Sequence, residues 1–287
     1  MYAILLLSQS ASISAAVNVF LFIRDSMKFA LTGGFGNVLF QLNAYYFNLF
    51  LFDGVLTDSI SLRRYRRLRG ISAPDATEYL RLLSLQKLII GTHGLKENSL
   101  FLCSKIYGKP VLGHFWSDRC EFDKYPPGTV VRNYGQTSVP VSEIFTEIVI
   151  KAIIYPRLSL KSIANSFDAV VHIRGGDYSF GCRLSSRYYL EATREFTNVL
   201  VCTNDRAYAL LVLPPHLHVI FSADLGASAL DDFALMSFAK ILIGSNSTFS
   251  WWAGECGRDS YILEPRDYLL GSAFLPLSNV FRHKLPA

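Results

Sequence analysis

His172 and Arg174 end an apolar run, Val170-Val171-His172-Ile173-Arg174, that is followed by Gly175-Gly176-Asp177-Tyr178. On a β-strand, residues i and i+2 share a face. Read as a strand, the run sends both side chains out at its carboxyl end, where open α/β sheets bind ligands. Arginine offers a planar fork that matches phosphate oxygens. The glycines let backbone approach a ligand closely. Asp177 adds a carboxylate, and the same residues also read as an Arg–Asp surface pair beside a tight turn.

Two further stretches run strand, turn, helix. Lys240-Ile241-Leu242-Ile243 hands over to Gly244-Ser245-Asn246-Ser247-Thr248-Phe249-Ser250-Trp251-Trp252. Short hydroxyl and amide side chains with backbone N–H groups at a helix start suit an anion. They suit a plain N-cap before core aromatics equally well. Lys28-Phe29-Ala30-Leu31-Thr32 leads into Gly33-Gly34-Phe35-Gly36-Asn37 and a helical pattern from Leu39. That turn is not a complete dinucleotide fingerprint.

In this order the three stretches resemble the bacterial α-1,2-fucosyltransferases of O-antigen synthesis. Members of that family open with a Met-Lys strand and a Gly-Gly-Leu-Gly-Asn-Gln turn. They carry His-x-Arg-Arg-Gly-Asp-Tyr in mid-chain and close on Ser-Asn-Ser-Ser/Thr-Phe-Ser-Trp-Trp. Asp232-Phe233-Ala234-Leu235-Met236-Ser237, Ser185-Ser186-Arg187-Tyr188-Tyr189 and Leu112-Gly113-His114-Phe115-Trp116 resemble further family segments. The resemblance runs from about Met27 to about Tyr268 and is looser between Asn48 and Pro110. It departs at Val38, where the family has Gln, and at Gly175, where it has a second Arg. Thr203-Asn204-Asp205 stands for Ser-Asp-Asp.

The resemblance implies an α/β fold of two facing Rossmann-like domains, the GT-B glycosyltransferase type, each a doubly wound parallel sheet. Residues 27–155 would form the acceptor-side domain and 156–287 the GDP-fucose-binding domain, after an apolar extension at 1–26. The implied reaction is an inverting transfer of L-fucose from GDP-fucose to the 2-hydroxyl of a terminal galactose. The acceptor would be a glycan such as a lipopolysaccharide O-antigen repeat or another lipid-linked glycan. Charge develops on the departing GDP, so its stabilisation is the main catalytic task. Arg174 would contact the β-phosphate, and Asn246, Ser247 and Thr248 would complete the anion site. Asp232 would accept from the guanine N1–H and amine, and His172 would meet the guanine edge or ribose. Gly34, Gly36 and Asn37 would close over the sugar. Asp177 is a candidate base, although a neighbouring arginine lowers a carboxyl pKa; His114 and Glu121 are others. An arginine restored at position 175 is expected to help the departing GDP. A fucosyltransferase of another linkage and a non-catalytic sugar-nucleotide or glycan-binding relative remain the alternatives.

Bulk properties fit this class. The chain has 287 residues, a net charge of +5 and 51% hydrophobic residues, with mean hydropathy +0.26. A mild basic bias suits a sugar nucleotide, a lipid-linked diphosphate or a membrane surface; no nucleic-acid module is present. Cys103, Cys120, Cys182, Cys202 and Cys256 are scattered and form no Cys-x-x-Cys pair, so reduced thiols are expected. No Asp-x-Asp and no His-x-x-x-His pair occurs, which predicts a metal-independent enzyme without a cofactor.

The elements that must hold these residues follow from periodicity. Strands are predicted over 168–173, 199–203, 218–222, 241–244 and 261–263, alternating with helices as in a parallel doubly wound sheet. The segment 111–115 is placed in the first domain, and Tyr155-Pro156 reads as lying near a linker. Residues 3–23 are apolar and uncharged. They read as a membrane anchor, a core helix or a start assigned too early, with a chain from Met27 expected to fold and stay active. A cytoplasmic protein associated with the inner membrane is expected. The basic run Arg63 to Arg69 reads as a solvated face or as a contact for anionic lipid.

Overall fold

Apolar strands that pair in parallel must each be followed by a crossover, usually a helix. The computed structural model has this arrangement twice. It describes residues 27–31, 33–48, 52–58, 76–93, 130–131, 140–176, 178, 183–257, 260–265 and 281–285. Strands β1 (Met27–Ala30), β2 (Phe52–Asp58), β3 (Ile89–His93) and β4 (Val130–Val131) form one sheet, in the order β3-β2-β1-β4. Strands β5 (Ala169–Ile173), β6 (Asn198–Thr203), β7 (His218–Phe221), β8 (Ile241–Ile243), β9 (Tyr261–Pro265) and β10 (Phe281–Leu285) form the other, in the order β10-β9-β8-β5-β6-β7. Every pairing is parallel.

Counted from its own first strand, the second sheet has the dinucleotide-fold order 3-2-1-4-5-6. The first sheet repeats the 3-2-1-4 part of it. The fold is therefore α/β with two doubly wound parallel sheets, a GT-B-type arrangement. In each sheet the order reverses beside the first strand, so the ligand crevices lie at the carboxyl ends of β1 and of β5 with β8. These are the places where the glycine turn, Arg174 and the serine-rich turn emerge.

Eight helices pack around the sheets among the described residues. They are α1 (Phe35–Phe47), α2 (Ala76–Leu82), α3 (Glu143–Val149), α4 (Leu160–Ala164), α5 (Ser186–Thr193), α6 (Arg206–Val212), α7 (Ala229–Phe238) and α8 (Thr248–Cys256). The two-residue alternation of the strands divides their side chains. Ala169, Val171, Ile173, Val199, Val201 and Ile243 pack with Tyr188, Tyr189 and Ala209 of α5 and α6. Val170, Leu200, Cys202 and Leu242 face the other way, into a core shared with the first sheet.

That shared core is aromatic. Phe40 of α1 stands 4.6 Å from Trp251 and 5.2 Å from Trp252 of α8, measured between ring centroids. Phe145 of α3 meets Trp252 edge-on at 5.7 Å, and Phe35 meets Phe233 of α7 at 5.6 Å. Edge-on and tilted pairs are the favoured aromatic geometries and add to the area they bury. The helices that follow the first sheet thus pack directly on those of the second.

The stretch read as a linker is helical. α3 continues through a π turn, Ile150–Ile154, into a 3₁₀ turn, Tyr155–Arg157. Pro156 is the second residue of that turn, at the end of the continuous helical stretch. Arg157 then donates through Nε to Asp231 Oδ1 at 2.8 Å, tying the stretch to α7. β2, β3, β4 and β10 are not among the strands expected from sequence. Residues 3–23, 63–69 and 111–115 lie outside the described residues, and among the described ones no helix is long and apolar enough to cross a membrane.

Replacing Phe40 by Ala should cost about 3–5 kcal/mol, because both tryptophans lose one of their aromatic neighbours and a cavity is left between them. Urea unfolding followed by tryptophan fluorescence reads this directly. A single shared core also requires wild-type protein to unfold in one transition, and two separated transitions would contradict it.

Candidate functional site

The glycine turn and the serine-rich turn meet. α1 starts at Gly34, which has no side-chain cap, after Gly33 at φ 90°. α8 starts at Ser247, whose Oγ accepts from the Phe249 N–H at 3.3 Å. A Cβ on Gly36 would stand 2.5 Å from the Thr248 carbonyl carbon and 2.6 Å from the Phe249 nitrogen, so only glycine allows this approach. Beside it, the Thr248 hydroxyl donates to Asn37 Oδ1 at 3.0 Å. Two helix N-termini, of 13 and 9 residues, therefore abut. Each carries roughly half a positive charge, and the pair favours an anion between or beside them.

β5 supplies the side chains next to this junction. His172 is fully enclosed, its Nδ1 is 2.7 Å from Ser245 Oγ, and its ring lies 5.9 Å from that of Phe249. Burial lowers its pKa to about 3, with the Arg174 charge adding to the effect, so the ring is neutral. Arg174 stands two residues on, half-buried, with its guanidinium 5.2 Å from the centre of the Tyr178 ring. Its charge also reaches Tyr79 of α2, on the opposite side of the crevice. The Tyr79 hydroxyl accepts the Phe35 N–H at the start of α1, and burial pushes its pKa up.

The turn after β5 is held from β6. Gly175 N–H donates to Asn204 Oδ1 at 3.0 Å and Gly176 N–H to Asp205 Oδ2 at 2.8 Å. The Tyr208 N–H first, and then the Gly176 N–H, hold the Asp205 carboxyl below the ordinary carboxylate range. A Cβ on Gly175 would lie 2.7 Å from Asp205 Cβ. An arginine at 175 would meet this contact, so the substitution must displace Asp205. Another cation, Arg183, reaches the same turn and donates to the carbonyls of Gly176 at 2.9 Å and Tyr178 at 3.1 Å.

Asp232 sits in the first turn of α7, after a Ser228–Asp231 capping box. Its carboxylate lies beside the Ser222 hydroxyl and the Cys202 thiol. Burial raises its pKa, and its Oδ1 is buried with no hydrogen-bond partner among the described residues. Cys202 is in register with His172 on the neighbouring strand, so Asp232 lies one strand outward from the junction on the same face. A nucleoside-sized ligand bound at the helix starts would extend toward it.

The structure thus gathers Gly36, Asn37, Ser247, Thr248, His172 and Arg174, with Asn246 buried in the α8 turn and Asp232 outboard. Gly34 is exposed, and a Cβ there would meet nothing within 4 Å. Asp177, His114 and Glu121 lie outside the described residues. Sequence reasoning missed Tyr79, Arg183, the bond of Ser245 to His172 and the bonding role of Asn204 and Asp205. A lone tyrosine in a short helix carries no local signal. The role of Asn204 and Asp205 arises only when β6 lies beside β5. Among the described residues, no three His, Cys, Asp or Glu side chains gather as a metal ligand set.

No family model matches this chain. Over 173 residues it is 26% identical to the O-antigen biosynthesis glycosyltransferase WbnK of Escherichia coli, covering 53% of this chain and 56% of that protein. The chain thus matches little more than half the length of this relative. Among solved structures, POFUT1 in complex with GDP is 12% identical with a TM-score of 0.38, covering 82% of this chain and 95% of its own. The glycosyl transferase family 9 protein of Veillonella parvula is 9% identical with a TM-score of 0.44, covering 91% and 87%. The E. coli heptosyltransferase WaaC with ADP is 12% identical with a TM-score of 0.41, covering 91% and 93%.

Two outcomes follow from the site's packing. Gly36→Ala should destabilise by about 1–3 kcal/mol through overpacking against the α8 backbone, as read by urea midpoints. His172 has a folded pKa of about 3 against an ordinary 6.5, so the unfolded chain binds its proton more readily. Its contribution to stability is complete above pH 6.5 and is lost progressively as pH falls toward about 3. His172→Gln should therefore flatten the fall in urea midpoint between those limits; an unchanged pH slope would contradict a buried neutral histidine.

Proposed function

We propose that this chain is an inverting glycosyltransferase that moves L-fucose from GDP-fucose to the 2-hydroxyl of a terminal galactose on a glycan. One observation carries the reading: two helix N-termini abut beside Arg174 at the switch points of both sheets. That is where a diphosphate gains most from backbone N–H groups, helix dipoles and a guanidinium together. The resemblance of the flanking motifs to the O-antigen fucosyltransferases supports the choice of sugar nucleotide. The partial match to an O-antigen glycosyltransferase supports a lipid-linked or lipopolysaccharide glycan as acceptor.

In this mechanism the diphosphate lies at the starts of α1 and α8, with Arg174 against the β-phosphate. As the glycosidic bond to fucose breaks, both bonding electrons leave with the GDP oxygen, and negative charge grows on that phosphate. The guanidinium and the fixed helix dipoles are already aimed at it, so they stabilise the transition state more than the ground state. The Tyr79 hydroxyl, its oxygen engaged by Phe35 N–H, has its own proton to donate on the acceptor side. Asp232, with Oδ1 unbonded within the fold, accepts from the guanine N1–H and amino group, a pair of donors that adenine lacks. The galactose 2-hydroxyl attacks from the opposite face and loses its proton to a base or to water. The cations in this account are side chains, and a metal is not required.

Arg174→Ala should lower kcat by roughly 10²–10³, the usual effect of removing one preorganised donor from a developing anion. The test is transfer of labelled fucose from GDP-fucose to a panel of terminal galactosides, with and without excess EDTA, and linkage analysis of any product. Near wild-type turnover of the variant would sink the role of Arg174. Activity lost in EDTA and restored by magnesium or manganese would sink the metal-free mechanism. GDP binding without transfer to any galactoside would point to a non-catalytic relative.

A further inference from the structure

From the contacts around the β5 turn, we infer that Arg183 is the positioning residue that aims Arg174. The inference rests on the donor site proposed above. Arg183 lies just before α5, on a different segment from the motif. Its guanidinium donates through Nε to the Tyr178 carbonyl at 3.1 Å and through Nη2 to the Gly176 carbonyl at 2.9 Å. One planar fork thus grips two carbonyls of one turn, which a single ammonium cannot copy. The fork is itself fixed, with its centre 5.0 Å from the Tyr208 ring and Nη1 4.0 Å from Asp205 Oδ2.

The gripped turn is the one that carries the phosphate ligand. Tyr178 N–H closes it by bonding to the Gly175 carbonyl at 3.1 Å, and the Tyr178 ring lies 5.2 Å from the Arg174 guanidinium. Gly176 holds φ 55°, which glycine adopts without strain. Its peptide groups are pinned from both sides, by Arg183 at the carbonyl and by Asp205 at the N–H. With position 175 filled by contact with Asp205, no side chain there can brace Arg174 directly. The brace comes from position 183 instead, through Tyr178.

Arg183→Gln and Arg183→Lys decide the point. Amide hydrogen exchange at Gly176 and Tyr178 should speed up about tenfold or more in both variants, with the core strands unchanged. Turnover with GDP-fucose should fall roughly 10- to 100-fold, because a misaimed guanidinium loses transition-state contact, while the acceptor KM stays constant. On an Arg174→Ala background, Arg183→Gln should give no further loss, since it acts through Arg174. Rescue by lysine, unchanged exchange at both amides, or a full second loss on that background would overturn the inference. If the glutamine variant fails to fold, the lysine variant, with charge and stem retained, gives the answer. Wild-type protein that transfers no fucose would remove the donor reading, and exchange at the two amides would still decide whether Arg183 braces the turn.

Discussion

Everything at the site hangs on the close approach of α1 to α8 at Gly36. A single Cβ there would overlap the backbone of Thr248 and Phe249, so the two helices meet at a distance that only glycine permits. The aromatic residues behind the contact make it favourable: Phe40 on Trp251 and Trp252, and Phe35 on Phe233 and Phe249. That packing holds two positive helix ends side by side, which nothing in their own electrostatics favours. Hydrophobic and aromatic contact therefore offsets an unfavourable arrangement of dipoles, and the arrangement is what an anionic ligand can use. Strain of this kind between packing and charge is expected where a protein binds rather than merely folds.

The same logic explains the state of the side chains nearby. A protonated histidine beside Arg174 and two helix starts would add repulsion and lose hydration, so His172 is kept neutral by burial. It is bonded to Ser245 and covered by Phe249, and thereby fixes the α8 turn to β5. Asn37 and Thr248 bond to each other, which ties the two halves together. Arg174 stands at the edge of this rigid frame, with its guanidinium over the Tyr178 ring. The division of labour is between groups that set the distance between the sheets and the one group that faces charge.

Much of the second sheet was legible in the sequence, because fully buried parallel strands such as Val170–Ile173 and Val199–Cys202 are short apolar runs with helices between them. The turns were legible for a different reason: glycines, serines and asparagines after such runs have few other uses. The first sheet was harder. Phe52–Asp58 contains Gly54 and two aspartates, and Val130–Val131 is too short to show a period. Tyr155-Pro156 read as lying near a linker, and the backbone there is a 3₁₀ turn that ends a continuous helical stretch. The braces of the site, Tyr79, Arg183, Asn204 and Asp205, were not legible at all. Each acts on a segment far from its own in the chain, and only the pairing of β5 with β6, and of the two sheets, brings them there.

Two positions at which the chain differs from the pattern it resembles are in contact, Gly175 and Asn204. Asn204 Oδ1 accepts from the Gly175 N–H, and its Nδ2 lies 3.5 Å from the Gly175 carbonyl. An amide can serve both groups because it carries a donor and an acceptor; a carboxylate has only acceptors and would face that carbonyl with like partial charge. The Gly175 carbonyl already accepts the Tyr178 N–H, and the Asn204 amide adds a second, longer contact to it while holding the Gly175 N–H. The two residues form one local solution to holding the turn. An arginine at 175 would be pressed into Asp205, and an aspartate at 204 would set a carboxylate against that carbonyl.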